Sequence, residues 1–217
     1  MKPCRIVVLI SGSGSNLQAL IDKIRAGEIN GEVVAVISNR PGVKGLERAR
    51  KAGIPALTID HKEYPSREAF DEALAETIDR QQPDLIVLAG FMRILTPDFV
   101  NHYTGRMLNI HPSLLPKYQG LHTHKRALEA GDKEHGASVH FVTAELDGGP
   151  VILQSRLPID EKHTPETLAA DLLPREHAIY PLVVKWFCEG RLQYHEKGGM
   201  MNGKLLREPL AFEKFRQ

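Results

Sequence analysis

The chain has 217 residues, 42% of them hydrophobic, with 28 basic and 27 acidic side chains that leave a formal net charge of +1. That near-cancellation supplies no global field to hold a long polyanion such as nucleic acid or an acidic membrane surface, so any anion site must be local. The length suits one compact domain with a sizeable core, and the two cysteines, Cys4 and Cys188, form neither a disulfide framework nor a zinc-ligand pattern, which fits a reducing compartment.

The apolar run after Arg5 reaches only five residues before Ser11, too few for a signal-peptide core or a membrane span. A cytoplasmic protein is expected. Short apolar runs at 5–10, 33–38, 56–59 and 85–89 then alternate with helical patterns at 17–25, 45–52 and 67–81. The runs at 6–10, 33–37 and 85–89 are continuously apolar, as parallel strands covered on both faces require. The fold class expected is therefore α/β: three layers, a mostly parallel twisted sheet with helices on both faces. Ser66 is the N-cap expected for the third helix, where Phe70, Leu74 and Ile78 recur every four residues until Gln82-Pro83-Asp84 ends it.

Beyond residue 100 the pattern predicts strands at 107–110, 138–142 and 150–157, a short helix at 125–130, and a final helix at 165–190 in which Pro174 and Pro181 predict a kink or a break. The tail from Leu192 alternates weakly around Gly198-Gly199 and Asn202-Gly203, predicting a hairpin or a mobile end. There is no internal repeat and no low-complexity segment.

Ser11-Gly12-Ser13-Gly14-Ser15-Asn16 follows the first strand and opens the first helix, so its N–H groups and hydroxyls converge where the helix dipole is positive. That is a phosphate-sized anion site; the bland alternative is a glycine turn capped by Ser15 or Asn16. A dinucleotide fingerprint needs a third glycine where this chain has Leu17 and an acidic residue where it has Ser38-Asn39-Arg40.

In 107–110 and its extension, Asn109 and His111 stand two apart and share one face at the carboxyl end of a strand, before Pro112 and Pro116 redirect the chain. An amide and an imidazole side by side suit acyl chemistry: both can donate to a tetrahedral oxyanion, and the imidazole can move a proton. Gly148-Gly149 allows a sharp turn that brings Asp147 back over the sheet edge to pair with His111.

The segments 11–16 (SGSGSN), 89–95 (AGFMRIL), 109–116 (NIHPSLLP), 147–152 (DGGPVI) and 176–181 (EHAIYP) together resemble the glycinamide ribonucleotide formyltransferase family, over nearly the whole chain. The resemblance implies a Rossmann-like formyltransferase fold and direct transfer of a formyl group from 10-formyltetrahydrofolate to the amine of glycinamide ribonucleotide, in purine biosynthesis, with no metal. It implies Asn109, His111 and Asp147 as the catalytic triplet, with Ser138 as a residue that could steady a water. Gly14, Ser15 and Asn16 match the substrate phosphate site, and Glu176 a residue near the sugar or amine. Folate recognition is expected from Met92, Arg93, Ile94 and Leu95, from Thr143, Ala144, Glu145, Leu146 and Asp147, from Asn109, and from Arg67 for the glutamate tail. Ile94, Leu95, Val100 and Met107 are expected to give the heteroaromatic ring a dry slot, or to be simple core. The loop from Lys117 to Gly120 is either a lid or an ordinary surface loop.

One formyltransferase domain over 1–217 is expected, with a phosphate-binding half at 1–100 and a catalytic and folate-binding half at 101–217. Only small-molecule partners are expected, in a monomer or weak homodimer. Methionyl-tRNA formyltransferase would add a C-terminal RNA-binding domain that a tail of about 20 residues cannot form. Formyltetrahydrofolate hydrolase would add an N-terminal regulatory domain and use water as acceptor. A metal-dependent hydrolase built on His111, His122, His124, His135 and His140 fits no standard ligand spacing. A non-enzymatic nucleotide-binding module would leave Asn109 and His111 structural.

Overall fold

A computed structural model describes residues 1–215. The early βαβ rhythm becomes β1 (Cys4–Ile10), α1 (Ser15–Arg25), β2 (Gly31–Ser38), α2 (Lys44–Lys51), β3 (Ala56–Thr58), α3 (Arg67–Arg80) and β4 (Leu85–Leu88). There follow α4 (Pro97–His102), β5 (Met107–His111), α5 (Thr123–Glu129), β6 (Glu134–Phe141), β7 (Val151–Pro158) and α6 (Pro165–Cys188). The tail forms β8 (Leu192–His195), β9 (Gly198–Met201), β10 (Lys204–Leu205) and β11 (Leu210–Ala211).

Eight strands make one sheet in the order β11-β7-β6-β5-β4-β1-β2-β3. All neighbours run parallel except at β6, which is antiparallel to both β5 and β7. The order reverses between β1 and β4, so their carboxyl ends open a crevice of the kind in which α/β sheets bind ligands.

Alternation in β1 sends Ile6, Val8 and Ile10 into a core shared with α1, α2 and α6, and Val7 and Leu9 into a second core shared with α3 and α4. All five are fully buried. The continuous apolar runs are thus explained by helices on both faces. Ser66 caps α3 by accepting from Ala69 N at 3.1 Å. Among the described residues, no helix is long and apolar enough to cross a membrane.

Two expectations need correcting, and a third is decided between its alternatives. Helix α6 continues through Pro174 and Pro181 without the expected break. A proline in a helix interior costs about 3 kcal/mol, but here Leu168, Leu172, Val183 and Val184 bury one face of the helix, and Thr164 and Thr167 form a capping box at its start. The first helix is not capped by Ser15 or Asn16: its N-cap is Gly14 in the left-handed region (φ 71°), with no side-chain bond. Of the two forms expected for the tail, it takes the hairpin. Strands β8, β9 and β10 form their own antiparallel sheet, and β11 then returns to pair in parallel with β7.

Tyr180, inside α6, keys that helix to the sheet. Its buried hydroxyl lies 2.7 Å from Leu88 O and 2.9 Å from Leu108 O, bridging the carboxyl end of β4 and the middle of β5.

Candidate active site

Strand β5 places the centre of the site. Leu108 and Ile110 point into the core beneath α6, so Asn109 and His111 point to the opposite face, at the carboxyl end of the strand. Asn109 stands opposite His140 on β6, and His111 opposite Ser138. Asp147 comes back over this edge on the turn expected from its glycines. A Cβ on Gly149 would lie 1.8 Å from the main-chain oxygen of Phe141, so that position requires glycine, while one on Gly148 would only displace the flexible Glu145 side chain. Asp147 itself is left-handed at φ 50°.

His111 and Asp147 face each other directly, and His140 links Asn109 to Asp147. Asp147 Oδ2 lies 3.6 Å from His111 Nδ1 and accepts from Gly120 N at 2.9 Å, while Oδ1 is 4.0 Å from His140 Nε2. His111 donates from Nε2 to Tyr118 O at 2.7 Å, so both of its ring nitrogens face oxygens that can only accept. Both side chains are more than nine-tenths buried, which strengthens their mutual field.

His140 is an addition that the sequence did not reveal in this role. Its Nδ1 donates to Phe141 O at 2.9 Å, and Nε2 therefore accepts from Asn109 Nδ2 at 3.2 Å. Burial pushes the His140 imidazole below its ordinary range, against the opposing pull of the Phe141 carbonyl and Asp147. A neutral His140 fixes which end of the Asn109 amide faces it and leaves the second Asn109 N–H to point elsewhere. Detecting this needed the antiparallel register of β5 and β6, which spacing alone does not supply.

A narrow cavity of about 120 Å³ opens beside Asn109 and His140. Arg93, Ile94, Leu95 and Val100 line one side and residues 142–147 the other, with Leu88 and Phe91 between them. Met92 does not line it: its side chain is exposed and its N–H donates to Ser11 Oγ at 2.8 Å. Met107, expected either in the slot or in the core, is fully buried in the α3–α4 core. Arg67 sits exposed in the first turn of α3, outside the cavity wall, with no ion pair among the described residues. Ser138 is no water ligand. It is fully buried, donates to Ser113 O, and accepts from Leu115 N and Gln154 Nε2.

The glycine loop lies at the carboxyl end of β1, two strands and about 10 Å from β5. The first bond of α1 runs from Gln18 N to Gly14 O, so the preceding N–H groups open the helix without an intrahelical acceptor. Asn16 Nδ2 donates to Glu176 Oε1 at 3.3 Å, joining loop to α6. Burial pushes the Glu176 carboxyl up to about 7, with the Asn16 bond pulling the other way. Ser11 ties the loop to the cavity wall: it donates to Asn39 Oδ1 and accepts from Met92 N. Asn39, where a dinucleotide site would carry an acid, is thus part of the scaffold.

The histidines considered as metal ligands are not arranged as a ligand set among the described residues. His124 Nδ1 and His135 Nε2 are 3.0 Å apart, and among the described residues no group of three or more His, Cys, Asp or Glu side chains is arranged to hold a metal ion.

Residues 4–184 match the family model described as formyl transferase. The chain is 58% identical over 201 residues to the phosphoribosylglycinamide formyltransferase of Escherichia coli (strain K12), covering 93% of this chain and 95% of that protein. The solved phosphoribosylglycinamide formyltransferase of Coxiella burnetii superposes with a TM-score of 0.92 at 56% identity, covering 96% of this chain and 99% of that one. The glycinamide ribonucleotide transformylase 1 of Symbiobacterium toebii gives a TM-score of 0.89 at 49% identity, covering 92% of this chain and 94% of that one.

Proposed function

As this chain belongs to the formyl transferase family, we propose that it carries out the reaction its relatives are named for, moving a formyl group from 10-formyltetrahydrofolate to the amine of glycinamide ribonucleotide in purine biosynthesis. The observation that carries this reading is the meeting of Asn109, His111 and Asp147 between a narrow cavity and an anion-competent loop on one sheet edge.

The amine nitrogen adds to the formyl carbon, charge collects on the carbonyl oxygen, the amine nitrogen gives up a proton, and the bond from that carbon to the folate nitrogen breaks as the folate nitrogen takes up a proton in its place. Asn109 donates its remaining amide N–H to the oxygen. His111 donates from Nε2, which in the present conformation the Tyr118 carbonyl occupies. Asp147, held by Gly120 N, orients the imidazole and relays a proton. Gly14, Ser15 and Asn16 cradle the phosphate, and Glu176 faces the sugar or amine. Arg93, Ile94, Leu95 and residues 143–147 hold the pterin, largely through main-chain atoms and apolar contact, with the Met92 main chain adjoining Arg93 just outside that wall. The exposed cation of Arg67 meets the glutamate tail.

The two sequence halves share this work, since Asn16 and Glu176 bond across them. The cysteine usage fits the cytoplasm, and we take the active unit to be a monomer or weak homodimer.

The test mixes purified protein with 10-formyltetrahydrofolate and glycinamide ribonucleotide and follows deformylated folate with and without the amine. Amine-dependent release together with formylated product is expected. Release that ignores the amine makes the protein a hydrolase instead.

A further inference from the structure

The amides of the glycine loop can serve an anion only if they all turn the same way, and a flexible Gly-Ser turn does not do that unaided. Helix α2 supplies the constraint. Gly45 N donates to Gly12 O at 3.0 Å, and Arg48 Nε donates to Ser13 O at 2.7 Å. These are consecutive carbonyls, and in a trans peptide the following N–H points opposite to the carbonyl of the same unit. Fixing the Gly12 and Ser13 oxygens toward α2 therefore aims the N–H groups of Ser13 and Gly14 away from it, alongside those that open α1.

The approach is close-packed. A Cβ on Gly14 would lie 2.7 Å from Gly45 Cα, and one on Gly45 would lie 2.4 Å from Ile10 Cδ1. Arg48 lines a cleft with Ser15, Asp22 and His177, and its guanidinium makes no ion pair among the described residues. Arg48 thus places a whole positive charge at the loop while bonding its main chain.

We propose that Arg48 is the positioning residue of the phosphate cradle, locking its amides toward the acceptor substrate's phosphate and adding positive charge beside it. This rests on the reading of residues 14–16 as the phosphate site. Gly45 supplies the second, main-chain clamp and the close approach that lets Arg48 reach.

The experiment uses the full chain and steady-state kinetics with wild type, Arg48→Met and Arg48→Lys, with inorganic phosphate as inhibitor and the dephosphorylated glycinamide riboside as a second acceptor. In wild type, phosphate competes with glycinamide ribonucleotide. If the wild type turns over but phosphate does not compete, the cradle assignment fails, and the role of Arg48 with it. Arg48→Met raises KM for glycinamide ribonucleotide and Ki for phosphate together, by about tenfold or more, as loss of a charge-assisted bond does. The KM for folate, the saturated kcat and kcat/KM for the riboside stay within about twofold of wild type. Arg48→Lys keeps the charge but not the planar Nε donor, and falls closer to Met than to wild type.

Wild-type competition by phosphate with unchanged KM and Ki in Arg48→Met overturns the proposal. So does a Lys variant equal to wild type, since charge alone would then suffice. Parallel losses on the riboside and on folate also overturn it, by showing a general structural role. Melting curves on each variant verify folding, and the Lys variant, which preserves the helix surface, carries the test if Met does not fold.

Discussion

His111 donates from Nε2 to the main-chain oxygen of Tyr118 at 2.7 Å, so a segment of the chain itself occupies the donor that the proposed reaction directs at an incoming oxygen. The Tyr118 hydroxyl donates to Asp132 at 2.6 Å, and Arg126 stacks 5.2 Å from the same ring while donating to Gln119 O at 2.6 Å. The 117–120 loop therefore sits clamped over the imidazole, and the proposed mechanism requires it to let go.

Tyr118→Phe removes the Asp132 bond and leaves the ring. Amide exchange at 117–121 is expected to quicken by about tenfold, as loss of one charge-assisted bond allows, while kcat does not fall. Exchange and turnover measured on the same preparation check it. A kcat at least tenfold lower would mean the clamp assists catalysis instead.

Asp147→Asn keeps the volume of the side chain and removes the charge beside His111. Folate binding should persist, with kcat down by about a hundredfold or more, the scale on which one electrostatic group contributes. Titration with a non-reactive folate together with turnover separates the two effects. An unaltered kcat would take Asp147 out of the mechanism.

Glu176 gives a pH signature. Its folded pKa of about 7 is raised above the unfolded value, so its protonated form stabilises the fold at low pH and that contribution is lost as pH rises through 7. Glu176→Gln should remove this loss: wild type should melt progressively earlier than the variant between pH 5 and pH 8, about the span that brackets the titration. Melting curves that stay parallel across that range would contradict it.

The buried pair His124 and His135 acts with the opposite sense. Burial and then the neighbouring imidazole hold His135 down to about 4, so stability is present above its unfolded value and is lost as pH falls toward 4. Replacing His135 by Gln should flatten acid unfolding between roughly pH 6.5 and pH 4. Equilibrium denaturation at stepped pH reads this directly, and an unchanged acid limb would rule His135 out as its source.

Much of this arrangement could be read from residue order. Asn109 and His111 stood out because two polar side chains sit two apart at the end of an apolar strand, and Asp147 because two glycines follow it. What escaped were features that depend on partners distant in sequence. The reversed direction of β6 decides that His140 faces Asn109, and no local pattern encodes a register. Helix α4 has six residues, too few for a period to show, although Thr96 before Pro97 is a start signal, with Thr96 Oγ1 accepting from Phe99 N. The prolines of α6 were legible but misleading, because packing of Leu168, Leu172, Val183 and Val184 outweighs a lost hydrogen bond. Strand β11 is two residues long, and only its pairing with β7 makes it a strand.

The bond between Asn16 and Glu176 joins residues 160 apart in sequence, and Tyr180 reaches back 92 residues to Leu88. During synthesis, then, a nascent polypeptide halted before α6 would already contain the glycine loop, Asn109, His111, Asp147 and both walls of the cavity, but it would lack Glu176 and the Tyr180 bridge, which both lie in that helix. The long-range ties of the site therefore wait for the last long helix.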